Sequence, residues 1–226
     1  MKDYDGMEYY AHSENKFGKK HYLSKHLKRT AELAESFGNN DVVKALFKIA
    51  GLLHDIGKYQ PEFQHYLDNA GERGSVPHAS WGAGYARCNK MNEISVAIDG
   101  HHKGLPDNSV WKNDTEPFKR GDVPGFEDAV KEFINDFGIL DKNIILDKSM
   151  NLDDVLQREM FIRYLFSALT DSDWLSTEEH FAQEEFQLRS VLLLSVEDME
   201  KKLEAEFLKK PKEGEVNQLR NDAREK

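Results

Sequence analysis

Apolar positions recur along most of this chain at the three-to-four-residue spacing of helices. Leu23, Leu27, Thr30, Ala34 and Phe37 share one side of a helix predicted over 22–37 and closed by "GNN". His26 lies on the same inward face, beside Leu23 and Thr30. Over 42–56 the pattern changes, because Val42, Val43, Leu46, Phe47, Ile49, Ala50, Leu52 and Leu53 are apolar on almost every side, which predicts a buried helix. That run ends in His54 and Asp55, with Gly57 as a natural stop. A carboxylate in such a place is costly unless a hydrogen-bonding partner or a metal ion compensates it. Further helices are predicted from "PHASWGAGYAR", with Pro77 ahead of it, over 92–101 (ending at His101 and His102), over 126–137, over 152–173 and over 188–208. Ser176 and Glu179 have the spacing of a capping box. Residues 103–125 are dense in Gly, Pro, Asn and Asp, which predicts a long loop with Trp111 available for stacking. Strand alternation, internal repeats and low-complexity tracts are not evident. The expected fold class is all-α.

Composition narrows the possibilities. A chain of 226 residues can form one domain with a sizeable core. A net charge of −10 argues against a protein that coats nucleic acid with its whole surface. The local exception is Lys16, Lys19, Lys20, Lys25, Lys28 and Arg29, a run without acidic residues and with Tyr9, Tyr10 and Tyr22 close by for base stacking. On sequence alone a solvated helix face is the plainer account of that run. The single cysteine, Cys88, excludes an internal disulfide framework and a cysteine-rich zinc site, and it fits a reducing cytoplasm. No apolar stretch approaches the ~20 residues that span a bilayer, and "MKDYDGMEYYAHSENK" is too acidic and polar for a signal peptide. A cytoplasmic protein without a membrane partner is expected.

The candidate chemistry lies in His26, His54, Asp55, His78, His101 and His102, on or at the ends of four successive helices, and in "LTDSDW", which adds Asp171 and Asp173. Imidazole and carboxylate together suit Mn, Fe, Co, Ni or Zn better than Ca or Mg, with Mg the less favoured option. So many ligands exceed one tetrahedral ion and suit two ions bridged by a carboxylate, the clamp used for displacement at phosphate esters. His54, Asp55 and Lys58 are the candidate catalytic residues, with Lys58 supplying a cation to a phosphate oxygen. His21, His65 and His180 lack partners at suggestive spacing and are expected to be ordinary surface residues.

The order H, HD, H, HH and D resembles the HD phosphohydrolase superfamily. More closely, the chain resembles the HD nuclease domain of the CRISPR-associated type I helicase–nuclease. The matching stretches are "YAHSENKFG", "YLSKHLKRTAELA", "LLHDIGKYQPEFQHYL", "VPHASWGA", "IDGHHKGLP" and "FSALTDSDWLSTEEHF", spread over residues 9 to 181. The resemblance implies an HD-type helical bundle with a metal site at its centre. It carries the metal ligands onto His26, His54, Asp55, His78, His101, His102 and a terminal aspartate. "SDW" matches the family's Ala-Asp-aromatic motif and favours Asp173, with Asp171 two residues away as the alternative. His12 falls near the site. The implied activity is metal-dependent cleavage of single-stranded DNA delivered by an RNA-guided effector complex, beside a helicase domain or subunit. This chain contains no G-x-x-x-x-G-K-[ST]. Residues 1–208 are therefore expected to form the nuclease domain, and 209–226 a charged tail resembling the segment that leads into the helicase. Two rivals share the ligands: an HD nucleotidase or cyclic-nucleotide phosphodiesterase, and a non-catalytic module that uses metal only to hold helices together.

Overall fold

The structure, a computed structural model, describes residues 8–68, 75–140, 152–189, 196–211 and 213–224. Helices dominate, as the periodicity predicts. Helix α1 (Leu23–Ser36) buries Leu23, His26, Leu27, Thr30, Ala31 and Ala34. Asn40 caps α2 (Asp41–Leu53) by accepting from the Val43 amide at 3.0 Å. The second helix ends three residues earlier than the Gly57 signal suggests. His54 is its C-cap, Asp55 follows, and a buried 3-10 turn spans Ile56–Tyr59. Then come α3 (Pro61–Asp68), α4 (Ala79–Cys88), α5 (Asn92–Gly100), α6 (Asn108–Arg120), α7 (Phe126–Phe137), α8 (Val155–Phe181) and α9 (Gln183–Leu188). Helix α1 packs on α2 and α8, α4 on α5 and α6, and α5 on α8.

Close backbone approach seats α4 on the end of α2. A Cβ at Gly82 would lie 2.0 Å from the Leu53 carbonyl oxygen, and one at Gly57 would lie 2.3 Å from the His78 carbonyl oxygen. Only glycine allows these contacts, which bring His78, the residue before α4, against the turn that carries Asp55.

Three expectations are corrected. Residues 103–125 are not a loop, because Asn108–Arg120 form α6 and Gly121, with φ 76°, ends it. Trp111, Thr115 and Phe118 make the buried stripe of that helix, and the Trp111 indole donates to Ser95 Oγ at 2.8 Å. Trp111 is therefore a core residue and is not available for stacking. The helix predicted over 152–173 runs on to Phe181, so Ser176 and Glu179 form no capping box. Ser176 is buried mid-helix, and Glu179 pairs with Arg29 at 2.6 Å. The chain also has a small sheet, in which β1 (Tyr10–His12) pairs antiparallel with β2 (His21–Tyr22). These strands are too short to show alternation in the sequence.

Contacts divide the chain into two compact units, Met1–Gln187 and Leu188–Lys226. The second holds α10 (Val196–Leu208) and α11 (Glu215–Arg224). The beginning of the helix expected over 188–208 lies partly outside the described residues. Among the described residues, no helix is long and apolar enough to cross a membrane.

Replacing Gly82 with Ala should force α4 off the end of α2. The expected loss is about 1–3 kcal/mol of stability, read as a lower urea midpoint. An unchanged midpoint would show that this contact does not constrain the fold.

Candidate metal centre

Five segments deliver side chains to one point. His26 comes from the buried stripe of α1, His54 and Asp55 from the end of α2, and His78 from just before α4. His101 follows the end of α5, with His102 beside it, and Asp173 comes from the inward face of α8, one turn after Leu169. Asp55 is completely buried. Its Oδ2 lies 2.8 Å from Lys58 Nζ, 3.2 Å from His54 Nε2 and 3.4 Å from His26 Nε2. Its Oδ1 faces a different pair, with His78 Nε2 and His101 Nε2 each at 3.7 Å. Asp173 Oδ1 lies 3.2 Å from His26 Nε2 and 3.6 Å from His54 Nε2. His78 and His102 meet Nε2 to Nε2 at 3.0 Å.

The histidines are oriented consistently. Nδ1 of His54 donates to the Gly51 carbonyl at 2.8 Å, Nδ1 of His101 to that of Ile98 at 2.6 Å, and Nδ1 of His78 to that of Val76 at 3.2 Å. His26 Nδ1 pairs with Ser176 Oγ at 3.0 Å. Each ring thereby turns Nε2 inward, which is how an outer hydrogen bond fixes a metal-ligating imidazole. Nε2 of His26, His54 and His101 and both Asp55 oxygens are buried without a well-formed hydrogen bond, and only Oδ2 has the close Lys58 ammonium as an ion-pair partner. Orphaned polar atoms at this density are costly unless an ion joins them. The donors form overlapping groups suited to an ion: His26, His54, Asp55 and Asp173; Asp55, His78 and His102; and His101, His102 and Asp173. The side chains present therefore fit a divalent metal.

Asp171 is exposed and is not part of this cluster. His65 is also exposed, as expected. His21 and His180 depart from expectation: both are half-buried, and their rings stack at 4.4 Å. Their partners are distant in sequence, so spacing could not reveal them. His12 sits against His26 with ring centroids 4.9 Å apart. A cleft of about 480 Å³, lined by His12, Lys58, Phe63, Tyr66, His78 and His102 among others, opens onto the cluster.

Charge in the cluster is balanced internally. Burial would raise the Asp55 pKa, but the Lys58 ammonium and His54 hold it well below the carboxylate range. Burial opposes protonation of His54 too, yet Asp55 and Asp173 outweigh it and raise that imidazole to about 10. Burial, then the neighbouring His101, lowers His102 to about 3, and burial lowers His78. In the metal-free protein, protonated His54 stabilises the fold fully below its ordinary 6.5, and this contribution is lost as pH rises through about 10.

An ion entering the cluster must displace the His54 proton. Titration of metal-free protein with Co or Mn near neutral pH should release ~1 proton, detected calorimetrically in buffers of different ionisation heat. Apparent affinity should rise from about pH 6 to about pH 9. A pH-independent affinity would show that His54 is not displaced.

Compared with known protein families, the chain matches the HD domain over residues 23–135, half of its 226 residues. None of the curated proteins compared matches it. The matched span contains every histidine of the central cluster and Asp55, and Asp173 joins them from α8 beyond it. The chain belongs to the HD-domain family of metal-dependent phosphohydrolases.

Proposed function

We propose that the protein is a two-metal phosphodiesterase that cleaves single-stranded DNA in CRISPR interference. The observation that carries the two-ion reading is Asp55, whose two oxygens face separate groups of imidazoles. In this reading His26, His54, Asp55 and Asp173 hold one ion, and Asp55, His78, His101 and His102 hold the other. Such ions lower the pKa of bound water and offset charge on the phosphate. Lys58 lines the cleft from beside Asp55, where its ammonium can meet a phosphate oxygen.

DNA as the substrate is supported by the six motif stretches that resemble the CRISPR-associated nuclease domain and by the basic segment beside the cluster. Lys16, Lys20 and Arg29 are paired with Glu184, Asp68 and Glu179, whereas Lys19, Lys25 and Lys28 are exposed. Lys25 lies over the Tyr22 ring at 4.9 Å, and Tyr22 packs on Tyr10 at 5.1 Å. These side chains, with Lys19, Lys20 and His21, line a cavity of about 510 Å³. Cations interleaved with aromatic rings suit a single strand, whose phosphates and base faces are both accessible. In this proposal the tail leads toward a helicase domain or subunit, and an RNA-guided complex supplies the strand.

Purified protein with Mn, Co or Ni should degrade single-stranded DNA, act poorly on duplex and be silent in chelator. Asp55→Asn should abolish cleavage. Turnover of free nucleotides without DNA cleavage would instead select the nucleotidase, and metal binding without any hydrolysis would select the non-catalytic module. Replacing Lys19, Lys25 and Lys28 with Gln should weaken DNA binding and flatten its salt dependence, by ~0.7 in slope for each lost phosphate contact. An unchanged slope would leave this segment a solvated face.

A further inference from the structure

The β1–β2 ladder places His12 directly opposite His21. The connection between the strands is organised by Asn15. Its side-chain oxygen accepts from the amides of Phe17 and Lys19, and its amide group donates to the His180 carbonyl at 3.0 Å, tying the hairpin to α8. The result is two imidazoles meeting Nδ1 to Nδ1 at 3.2 Å. His180 covers the face of His21, and Phe181 meets His12 edge-on at 5.8 Å. His12, His21 and His26 each bring one donor atom within 4.8 Å of the others.

This pair is oriented the opposite way from the central histidines. His54, His78 and His101 turn Nδ1 to a carbonyl oxygen and His26 turns it to a hydroxyl, whereas among the described residues Nδ1 of His12 and of His21 face only each other. The outer contact of His12 is made by Nε2, 3.5 Å from Thr177 Oγ1. A proton on that nitrogen leaves the Nδ1 lone pair directed at His21. Nitrogen ligands ~2.0–2.1 Å from a tetrahedral ion are spaced ~3.3 Å apart, so the separation has the bite of a bidentate imidazole site. His26 Nε2 already faces Asp55 and Asp173.

We propose that His12 and His21 hold a divalent transition-metal ion of their own, adjoining the central cluster and distinct from it. The donors are all imidazole, which selects Zn, Ni, Co or Cu and excludes Mg and Ca. Mn stands lowest in the order of affinities and binds here poorly. The remaining positions are open to water or to a phosphate oxygen. His21 also lines the cavity of Lys19, Lys20 and Lys25, so the ion adds positive charge where that cavity meets the cluster. This inference does not depend on how many ions the centre holds.

The test counts ions. Metal-free full-length protein is dialysed against Ni and, separately, Mn, and the bound metal is measured. The double variant His12→Ala/His21→Ala should bind one equivalent of Ni fewer than wild type and the same amount of Mn. Asp55→Asn should lose Ni from the centre yet keep the equivalent that the double variant lacks. If the centre holds one ion rather than two, the wild-type total falls while this difference stays. Equal Ni counts in wild type and double variant would overturn the proposal and leave the pair a hydrogen bond. If thermal melting shows the double variant unfolded, His21→Asn serves instead. Its weakest Ni equivalent should bind ~10-fold or more weakly, since even an outer partner is worth that much, and unchanged Ni binding would be equally fatal.

Discussion

A fully buried carboxylate is the constraint around which this fold is arranged. Asp55 follows the most apolar helix among the described residues and has no exposed surface. Leaving it unpaired there would cost several kcal/mol. Its surroundings answer that cost from every side: Lys58 from the following turn, His26 from α1, His54 from α2, His78 from the approach to α4 and His101 from the end of α5. The glycines at 57 and 82 serve the same end, because a side chain at 57 would meet the His78 backbone and one at 82 would meet the Leu53 and His54 carbonyls, separating α4 from the end of α2. Packing and chemistry are therefore one problem at this point of the molecule.

Asp55 requires compensating positive charge. In the metal-free protein part of the answer is a side chain, Lys58, whose ammonium lies 2.8 Å from Oδ2. A second aspartate, Asp173, adds another negative charge, and His54 takes a proton between the two. Two carboxylates thus face two cations. A divalent ion that takes the place of the His54 proton carries one more positive charge than it displaces, so the set passes from neutral to net positive. The excess positive charge of the metal-loaded set is what an anionic phosphate would offset.

Legibility followed the range of the interactions. The helices α1, α5 and α7 were readable to within about one residue because each carries its own apolar stripe. The stripe of Trp111, Thr115 and Phe118 in α6 was equally regular, but turn-forming residues around it outweighed three inward positions. Helix α8 was cut short because its inward face becomes polar where it serves the site. Ser172 returns its hydroxyl to the Ala168 carbonyl, and Ser176 supports His26. The histidines of the central cluster were legible as a motif, whereas the choice between Asp171 and Asp173 needed the phase of α8. The pairing of His21 with His180 was beyond any local pattern, since their contact spans nearly the whole first unit.

The distribution of charge has a physical logic of its own. A net charge of −10 repels polyanions over most of the surface. Within the basic segment, Glu184, Asp68 and Glu179 neutralise Lys16, Lys20 and Arg29, so attraction contracts to Lys19, Lys25 and Lys28. These cations lie on the hairpin loop and the first turns of α1, the same stretch that carries His21 and His26. Screening confines their field to about one Debye length, ~8–10 Å at physiological salt. In the proposed function these exposed cations would attract an anionic chain to the face that adjoins the His/Asp cluster, a local attraction that coexists with global acidity.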